Sequence, residues 1–376
     1  MNRTVTLQDF LTPTWALITL GLIFGGAVGL YELFGAHVLA TTQVVTWTTP
    51  LVIYITMALT STGISLLLAY GLLAGSAPVI SNTRYLLVLD IAVLMGAFTA
   101  LATELGSLLN LVYTFLSPNP TSPIWWMSVL YSAKLAVLFL KLFRDVLGVH
   151  GALDRPLSVI TLIVAAGAAM TIGAVFGTNI ARLDYRGAFA SILLVLLAPT
   201  AGTALVVCLH RGIDLVAEVV PVFRQSSVLV AVLLALQWIY ETRATSEGLL
   251  GWVNPLLPVV FGVAALMGGR LPRAAAVVAL SGTFWVCYAF IITGQLSVQG
   301  PQQSWYGPVT SFTPNLAELL IIALGLAVAG ALYQLGKLFL LEGPADRGEA
   351  NARPAPVNPG EPPGSGDSGQ SAPAPR

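Results

Sequence analysis

The chain is 376 residues long, yet only 9% of it is charged, against roughly 25% in ordinary soluble proteins. With 56% hydrophobic residues, a mean hydropathy of +0.83 and only 17 basic and 17 acidic side chains, it cannot cover a water-facing surface of that size, which excludes a soluble architecture. A formal net charge of zero likewise excludes an electrostatic nucleic-acid binder, whose affinity rests on clustered Lys and Arg meeting phosphates.

A helix that crosses the hydrocarbon needs about 20 mostly apolar residues. On that template the sequence predicts an all-α polytopic membrane protein with ten spans. They run over 15–34, 50–75, 84–108, 124–143, 156–177, 187–209, 222–241, 249–269, 272–293 and 314–341, each bounded by Pro, Gly, Asn or charged residues. Residues 1–14 form a short polar start with Arg3 and Asp9, and no small-residue cleavage site follows the first span, which therefore reads as a retained helix. The spans make up a transmembrane domain over 15–342. From Gly343 to Arg376 the composition changes: eight of the 23 prolines fall here, and Val357 is the only aliphatic residue larger than Ala. Such a stretch buries nothing and is expected to be a disordered, solvated tail.

Orientation follows from the Lys/Arg bias of the short loops. With the N-terminus in the cytoplasm, Arg3, Arg84, Lys141, Arg144, Arg155, Arg211, Arg224, Arg270, Arg273, Lys337 and the tail arginines fall inside. Only Arg182, Arg186 and Arg243 fall outside, and Lys134 lies in mid-span. Both termini are thus expected to be cytoplasmic. The outer loops 35–49, 109–123 and 294–313 hold no Lys or Arg, and Trp47, Trp305 and Tyr306 in them, with Trp125 and Trp126 just beyond, suit interfacial anchoring or a docking floor.

Cys208 and Cys287 both sit in apolar runs, so no thiolate quartet exists for an iron–sulfur cluster or structural zinc. His37, His150 and His210 lie at span ends, where they do not suit facing ligands of a membrane haem; no haem or iron–sulfur centre is expected in this chain.

Ionisable groups inside a bilayer are costly, and each is a functional candidate by default. Asp90 lies about 9 Å into the third span and Lys134 near the middle of the antiparallel fourth. They are positioned to pair, as a proton relay or as a buried salt bridge that joins two helices. Glu104, near the outer end of the third span, shares its depth with Glu32, His37, Gln43, Tyr54, Asn110 and Trp126. A carboxylate against an apolar wall suits proton exchange with a hydroquinone; the plainer alternative is a solvated helix end. For Glu32 and His37 taken singly, the interfacial alternative is the better one. Gln237, Trp238, Tyr240 and Glu241 cluster at the end of the seventh span, and Asn254-Pro255 with Pro258 read as a kink in the eighth.

Several segments resemble the polysulfide reductase membrane-subunit family, also called NrfD-like. Trp47 to Leu68, WTTPLVIYITMALTSTGISLLL, is similar to its first core span. Glu104-Leu105-Gly106, followed by Ser122-Pro123-Ile124-Trp125-Trp126 and Leu130, is similar to its acidic-Leu-Gly motif and the start of its next helix. Gly173 to Gly177 with Arg182, and Gly294-Gln295 after Cys287-Tyr288, echo later segments. Departures are Thr46 in place of a histidine, Gln43 in place of an Asn, Ser107-Leu108 in place of Arg-Pro, and no tyrosine around Met170 to Gly173.

The resemblance implies two four-helix bundles with flanking helices in a prokaryotic cell membrane. It implies a subunit without resident cofactor that binds quinone or quinol, of menaquinone type, as an exchangeable substrate near the outer face. Electrons would pass to or from a docked ferredoxin-like iron–sulfur subunit, which leads to a molybdopterin catalytic subunit. Glu104 would exchange the proton; Gln43, Thr46, Trp47, Tyr54, Asn110, Trp126 and His37 would contact the quinone; Asp90 and Lys134 would relay protons. The competing expectation is a secondary transporter with a midplane Asp/Lys site, which calls for discontinuous helices in matching positions of two halves; no matched pair stands out in the sequence.

The loop bias carries its own test. Reporter fusions at Gly343 and within 294–313 are expected to report opposite compartments, the first cytoplasmic; the same compartment for both would remove the ten-span topology.

Overall fold

The computed structural model describes residues 10, 12–42, 44–105, 107, 109–178, 185, 188–244, 253–296 and 312–341, among which there is no strand. Ten principal helices follow one another: α1 (Pro13–Leu33), α2 (Thr49–Ala74), α3 (Thr83–Glu104), α4 (Pro123–Val146), α5 (Asp154–Gly177), α6 (Phe189–Leu209), α7 (Ile213–Ala244), α8 (Val253–Met267), α9 (Pro272–Leu296) and α10 (Leu316–Leu341). Each coincides with one predicted span. Nine are long and apolar enough to cross a membrane, and α8 is the shorter one; its predicted span begins at residue 249, outside the described residues. The chain is an all-α polytopic membrane protein.

Local chemistry fixes most helix ends. Pro stands in the first turn of α1, α2, α4 and α9, where its missing N–H has no intrahelical partner to lose. Gly75 closes α2 at φ +73°, a left-handed conformation that glycine adopts without strain. Asn315 caps α10 by accepting from the Glu318 N–H at 2.9 Å. Three boundaries differ from the hydropathy pattern. α3 stops at Glu104 rather than 108. α7 starts at Ile213, nine residues before the predicted span, because Asp214, Glu218 and Pro221 lower the hydropathy of its first turns without ending the helix. The segment 109–123, expected to be loop, contains a short helix, Leu109–Leu116, with no buried residue.

α2 is the interior axis. Of its most apolar stretch 89% is buried, against 22% for α4, so α4 lies mostly on the outside of the bundle while α2 lies almost wholly inside it. The helices pack in two closed sequences, α2 on α3, α3 on α4, α4 on α5 and α5 on α2, then α6 on α7, α7 on α8, α8 on α9 and α9 on α6. The two sets meet where α6 lies on α2 and α5. α10 packs on α3 and α2, and α1 packs on α10.

With lipid outside, helix association rests on close approach of backbones at small residues. At the α2/α6 crossing Gly63 and Gly202 face each other: a Cβ on Gly63 would lie 1.9 Å from the Ala198 carbonyl oxygen, and one on Gly202 would lie 2.3 Å from the Gly63 carbonyl carbon. At the α1/α10 seam, a Cβ on Gly25 would lie 2.4 Å from the Leu320 carbonyl oxygen, and one on Gly21 2.7 Å from the Ala327 Cβ. Gly63→Ala is therefore expected to cost about 1–3 kcal/mol or more through overpacking, read as a lower melting temperature and less monodisperse protein in detergent. Gly26→Ala, where nothing lies within 4 Å, is the control expected to change neither.

Candidate functional site

Two polar constellations interrupt the apolar interior. The first is in mid-bundle, where Lys134 Nζ of α4 lies 3.4 Å from Asp90 Oδ1 of α3, both side chains fully buried. Ser61 and Ser65, one turn apart on α2, each donate a hydroxyl to one Asp90 oxygen. Lys134 in turn donates to Ser61 Oγ at 2.6 Å and to Thr62 Oγ1 at 3.5 Å. The carboxylate and ammonium are thus paired and also hydrogen-bonded by α2, the condition under which buried charges are tolerated. The Thr62 hydroxyl lies 3.4 Å from Tyr131 Oη, and the Tyr131 ring stands edge-on to Tyr54 at 6.5 Å. Two turns from Lys134 on α4, the buried Lys141 donates to Ser158 of α5 at 3.4 Å.

The second constellation closes the end of the bundle at which α2 begins. The first-turn N–H groups of a helix lack intrahelical acceptors and must find others. Here other helices supply them. Glu104, the last residue of α3, accepts from the Thr48 N–H at 3.0 Å, the Thr48 hydroxyl and the Leu51 N–H at 3.3 Å. Glu318 of α10, fully buried, accepts from the Thr49 N–H and hydroxyl with one oxygen and from the Ala40 N–H at 2.8 Å with the other. Gln295 of α9 accepts from the Thr46 and Trp47 N–H groups at 2.8 and 2.9 Å and donates to the Trp47 and Ile291 carbonyls at 2.8 and 3.1 Å. Glu32 accepts from the Val38 N–H at 2.6 Å, and Asn315 donates to the Val38 carbonyl at 2.7 Å. The connection between α1 and α2 is thereby tied across the bundle end by side chains from four helices.

Beside these groups lies an aromatic cluster. Trp47 meets Phe176 edge-on at 5.0 Å; Phe176 lies 5.1 Å from Tyr185 and 5.0 Å from Phe290; the Tyr185 hydroxyl donates to the Ile291 carbonyl at 2.5 Å. Glu104 and Trp47 are partly exposed and Thr46 is exposed, so one edge of this assembly is open to an incoming group.

The sequence candidates distribute unevenly. Glu104, Thr46 and Trp47 come together at this end, and Asp90 with Lys134 forms the mid-bundle pair. Tyr54 is buried deeper in α2 against Tyr131. His37 is exposed in the connection, at φ 49° after the turn at Gly35. Asn110 is exposed and donates to the Leu105 carbonyl at 2.8 Å, and Trp126, also exposed, donates to the Pro120 carbonyl at 2.8 Å, so both are engaged with their own segment. Trp238 is exposed on α7. Gln43, Gly106, Leu108, Arg182, Arg186, Trp305, Tyr306 and the tail, together with the side chains of Tyr240, Glu241, Arg243 and Asn254, lie outside the described residues.

Glu318 escaped the sequence analysis. Asn315-x-x-Glu318 has the spacing of a helix start, and such an acid normally serves its own first turn. What distinguishes it is that hydrophobic sequence surrounds it, Leu316-Ala317 before and Leu319-Leu320-Ile321-Ile322 after, which is the one signal that it would be buried. Ser61 and Ser65 were visible only as small residues in an apolar run. Among the described residues, no group of three or more His, Cys, Asp or Glu is placed to hold a metal ion. Neither protein-family models nor curated proteins give a match to this chain.

Removing one member of a buried pair strands the other. Lys134→Met is expected to lower stability by about 3–5 kcal/mol, and the double change Asp90→Asn with Lys134→Met to recover much of that loss, both read as melting temperature in the same detergent.

Proposed function

We propose that the chain is the quinone-reactive membrane subunit of a respiratory oxidoreductase complex, binding quinone or quinol at the Glu104 end of the bundle and exchanging electrons with a docked iron–sulfur subunit. The observation that carries this reading is the assembly of Glu104, Thr46, Trp47 and Gln295 beside three further aromatic rings, at a bundle end that the charge bias of the loops assigns to the outer face. A quinone head group is a flat ring with two oxygens. It suits an aromatic wall with a titratable acceptor at its rim, and the partly exposed Trp47 and Glu104 supply that chemistry, with the Thr46 hydroxyl, which donates to Gln295 Oε1 at 3.2 Å, beside them. The resemblance to the NrfD-like family, the prokaryotic membrane setting with cytoplasmic termini and the arrangement as two four-helix bundles belong to the same proposal; the two closed packing sequences, α2 to α5 and α6 to α9, support the last.

The residues divide the work by position. Oxidation of a quinol releases two protons with its two electrons. Glu104 takes a proton at the rim, while the Thr48 and Leu51 N–H groups hold its carboxylate in place. Gln295 fixes the backbone of Thr46 and Trp47, so the rim keeps its shape as the head group changes oxidation state. The electrons pass to or from the partner's cluster, which leads to a molybdopterin catalytic subunit. Asp90 and Lys134, joined through Ser61 to α2, stand deeper as a proton relay. A transporter with a midplane Asp/Lys site would need broken helices beside that pair. α2 and α3 run unbroken past it, while the π-helical turns fall in α1, α9 and α10, and the interior prolines of α6, α7 and α8 lie on other helices.

Two measurements test the proposal. Affinity purification of the tagged full chain in mild detergent is expected to bring down partner chains that contain iron–sulfur and molybdenum, with stoichiometric iron in the isolated chain counting against it. Glu104→Gln keeps an acceptor oxygen for Thr48 and Leu51 but cannot titrate. Assembly should survive while quinol-linked turnover falls by roughly 10²-fold; turnover at the parental rate across pH 6 to 8 would reduce Glu104 to a cap of α2.

A further inference from the structure

At the end of the molecule opposite Glu104, the α6–α7 turn and the α8–α9 turn border a groove of about 600 Å³, lined by Arg211 from the first turn, Arg270 from the second and Arg273 from the first turn of α9. Between them its lining is largely apolar, with Val216 and Val220 of α7 half-buried and Pro221 and Leu271 exposed at its edge. Pro221 also belongs to an adjoining depression of about 350 Å³ between α7 and α8, lined by Val228, Ala265 and Leu266 and crossed by Arg224 and Gln225. From Arg211 to Val228 the path follows α7 for about 25 Å, more than the about 15 Å of hydrocarbon in one leaflet.

The charges of this groove are unspent. Among the described residues, the guanidinium groups of Arg211, Arg270 and Arg273 have neither a hydrogen-bond nor an ion-pair partner, in contrast to Arg84 and Arg144, which reach Asp145 and Asp154 at 2.6 and 3.0 Å. Asp214 and Glu218, in the first turns of α7, are exposed, and among the described residues neither forms an ion pair with these arginines; Glu218 accepts from Ser76 at 3.1 Å. His210, packed on the Tyr85 ring at 4.7 Å, is held below the ordinary imidazole range by burial, so the positive charge is that of arginines and does not titrate near neutrality. Gly268 and Gly269 leave room for Arg224 to lie across the α7/α8 seam. A Cβ on Gly268 would meet Arg224 Cγ at 2.8 Å, and Arg224 Nε instead donates to the Ala265 carbonyl at 3.0 Å.

We infer that this groove binds an anionic phospholipid, its phosphate held by Arg211, Arg270 and Arg273 and one acyl chain laid along α7 toward Val228 and Leu266. Charge complementarity selects an anion, and the mostly apolar path that continues from the arginines for the depth of a leaflet, crossed by Arg224 and Gln225, selects a lipid over a free phosphate. The site is at the far end of the molecule from Glu104 and stands independently of the quinone proposal.

The test uses the full chain, delipidated in mild detergent, with lipid binding followed by native mass spectrometry and by melting temperature. Phosphatidylglycerol is expected to bind at least about tenfold more tightly than phosphatidylcholine of the same acyl chains, since each arginine at an anionic head group contributes about fivefold. Replacing Arg211, Arg270 and Arg273 together by Gln should bring phosphatidylglycerol down to the phosphatidylcholine level, and replacing them by Lys should keep most of the preference. Equal binding of the two lipids by the parental chain, or an undiminished preference in the Gln variant, overturns the site. Soluble glycerol 3-phosphate matching phosphatidylglycerol overturns the lipid assignment. Should the Gln variant fail to fold, Leu266→Trp provides a second reading: its added fluorescence should be quenched by brominated phosphatidylglycerol more than by brominated phosphatidylcholine, and equal quenching overturns the path.

Discussion

A helix that begins inside protein, away from water, has N–H groups that only protein can satisfy, and α2 begins that way. Thr48 and Thr49 are fully or almost fully buried, and the acceptors that meet them come from α3 and α10. α2 is also the helix on which α3, α5 and α6 pack, and its serines hold the buried Asp90–Lys134 pair. Fixing its first turn therefore fixes the register of the whole interior. The polar end of the molecule and its polar middle are two consequences of placing one helix at the centre.

This gives Glu104 two roles at once. As the acceptor for Thr48 and Leu51 it is part of the scaffold, and as a partly exposed carboxylate beside Trp47 it is available to chemistry. The two ends of the bundle contrast sharply in this respect. At the Glu104 end, acids and amides are consumed by backbone groups; at the opposite end, among the described residues, three arginines stand without partners beside a largely apolar groove.

The spans were legible because the membrane imposes length and hydropathy on each helix separately. Asp90 and Lys134 were legible for the same reason, since an ionisable group in an apolar run has few ways to exist. The grouping of polar residues at the bundle end was only half legible. Depth along a span is read from residue number, but direction around it is not, so Asn110 and Trp126 share the depth of Glu104 and yet bond within their own segment. Glu318 was hidden by the opposite effect. Its partners Ala40 and Thr49 are 278 and 269 residues away, and the apolar residues around Glu318 signal burial but not which groups it would clasp. The α7 start was misplaced because Asp214, Glu218 and Pro221 lower the hydropathy of its first turns, although the helix runs through them.

The glycine seam between α1 and α10 sets the order in which the molecule is finished. α1 leaves the ribosome before α10, its packing partner, so it meets lipid with Gly21 and Gly25 unmatched until α10 follows. Its length and apolar composition let it do so as an independent span. The segment between α1 and α2 waits too, because Ala40, Thr49 and Val38 receive Glu318 and Asn315 only when α10 arrives. The Glu104 end is in this way shaped only once α10 is in place: a chain that stops before α10 carries Glu104 and Trp47, but not the Glu318 and Asn315 clasp beside them.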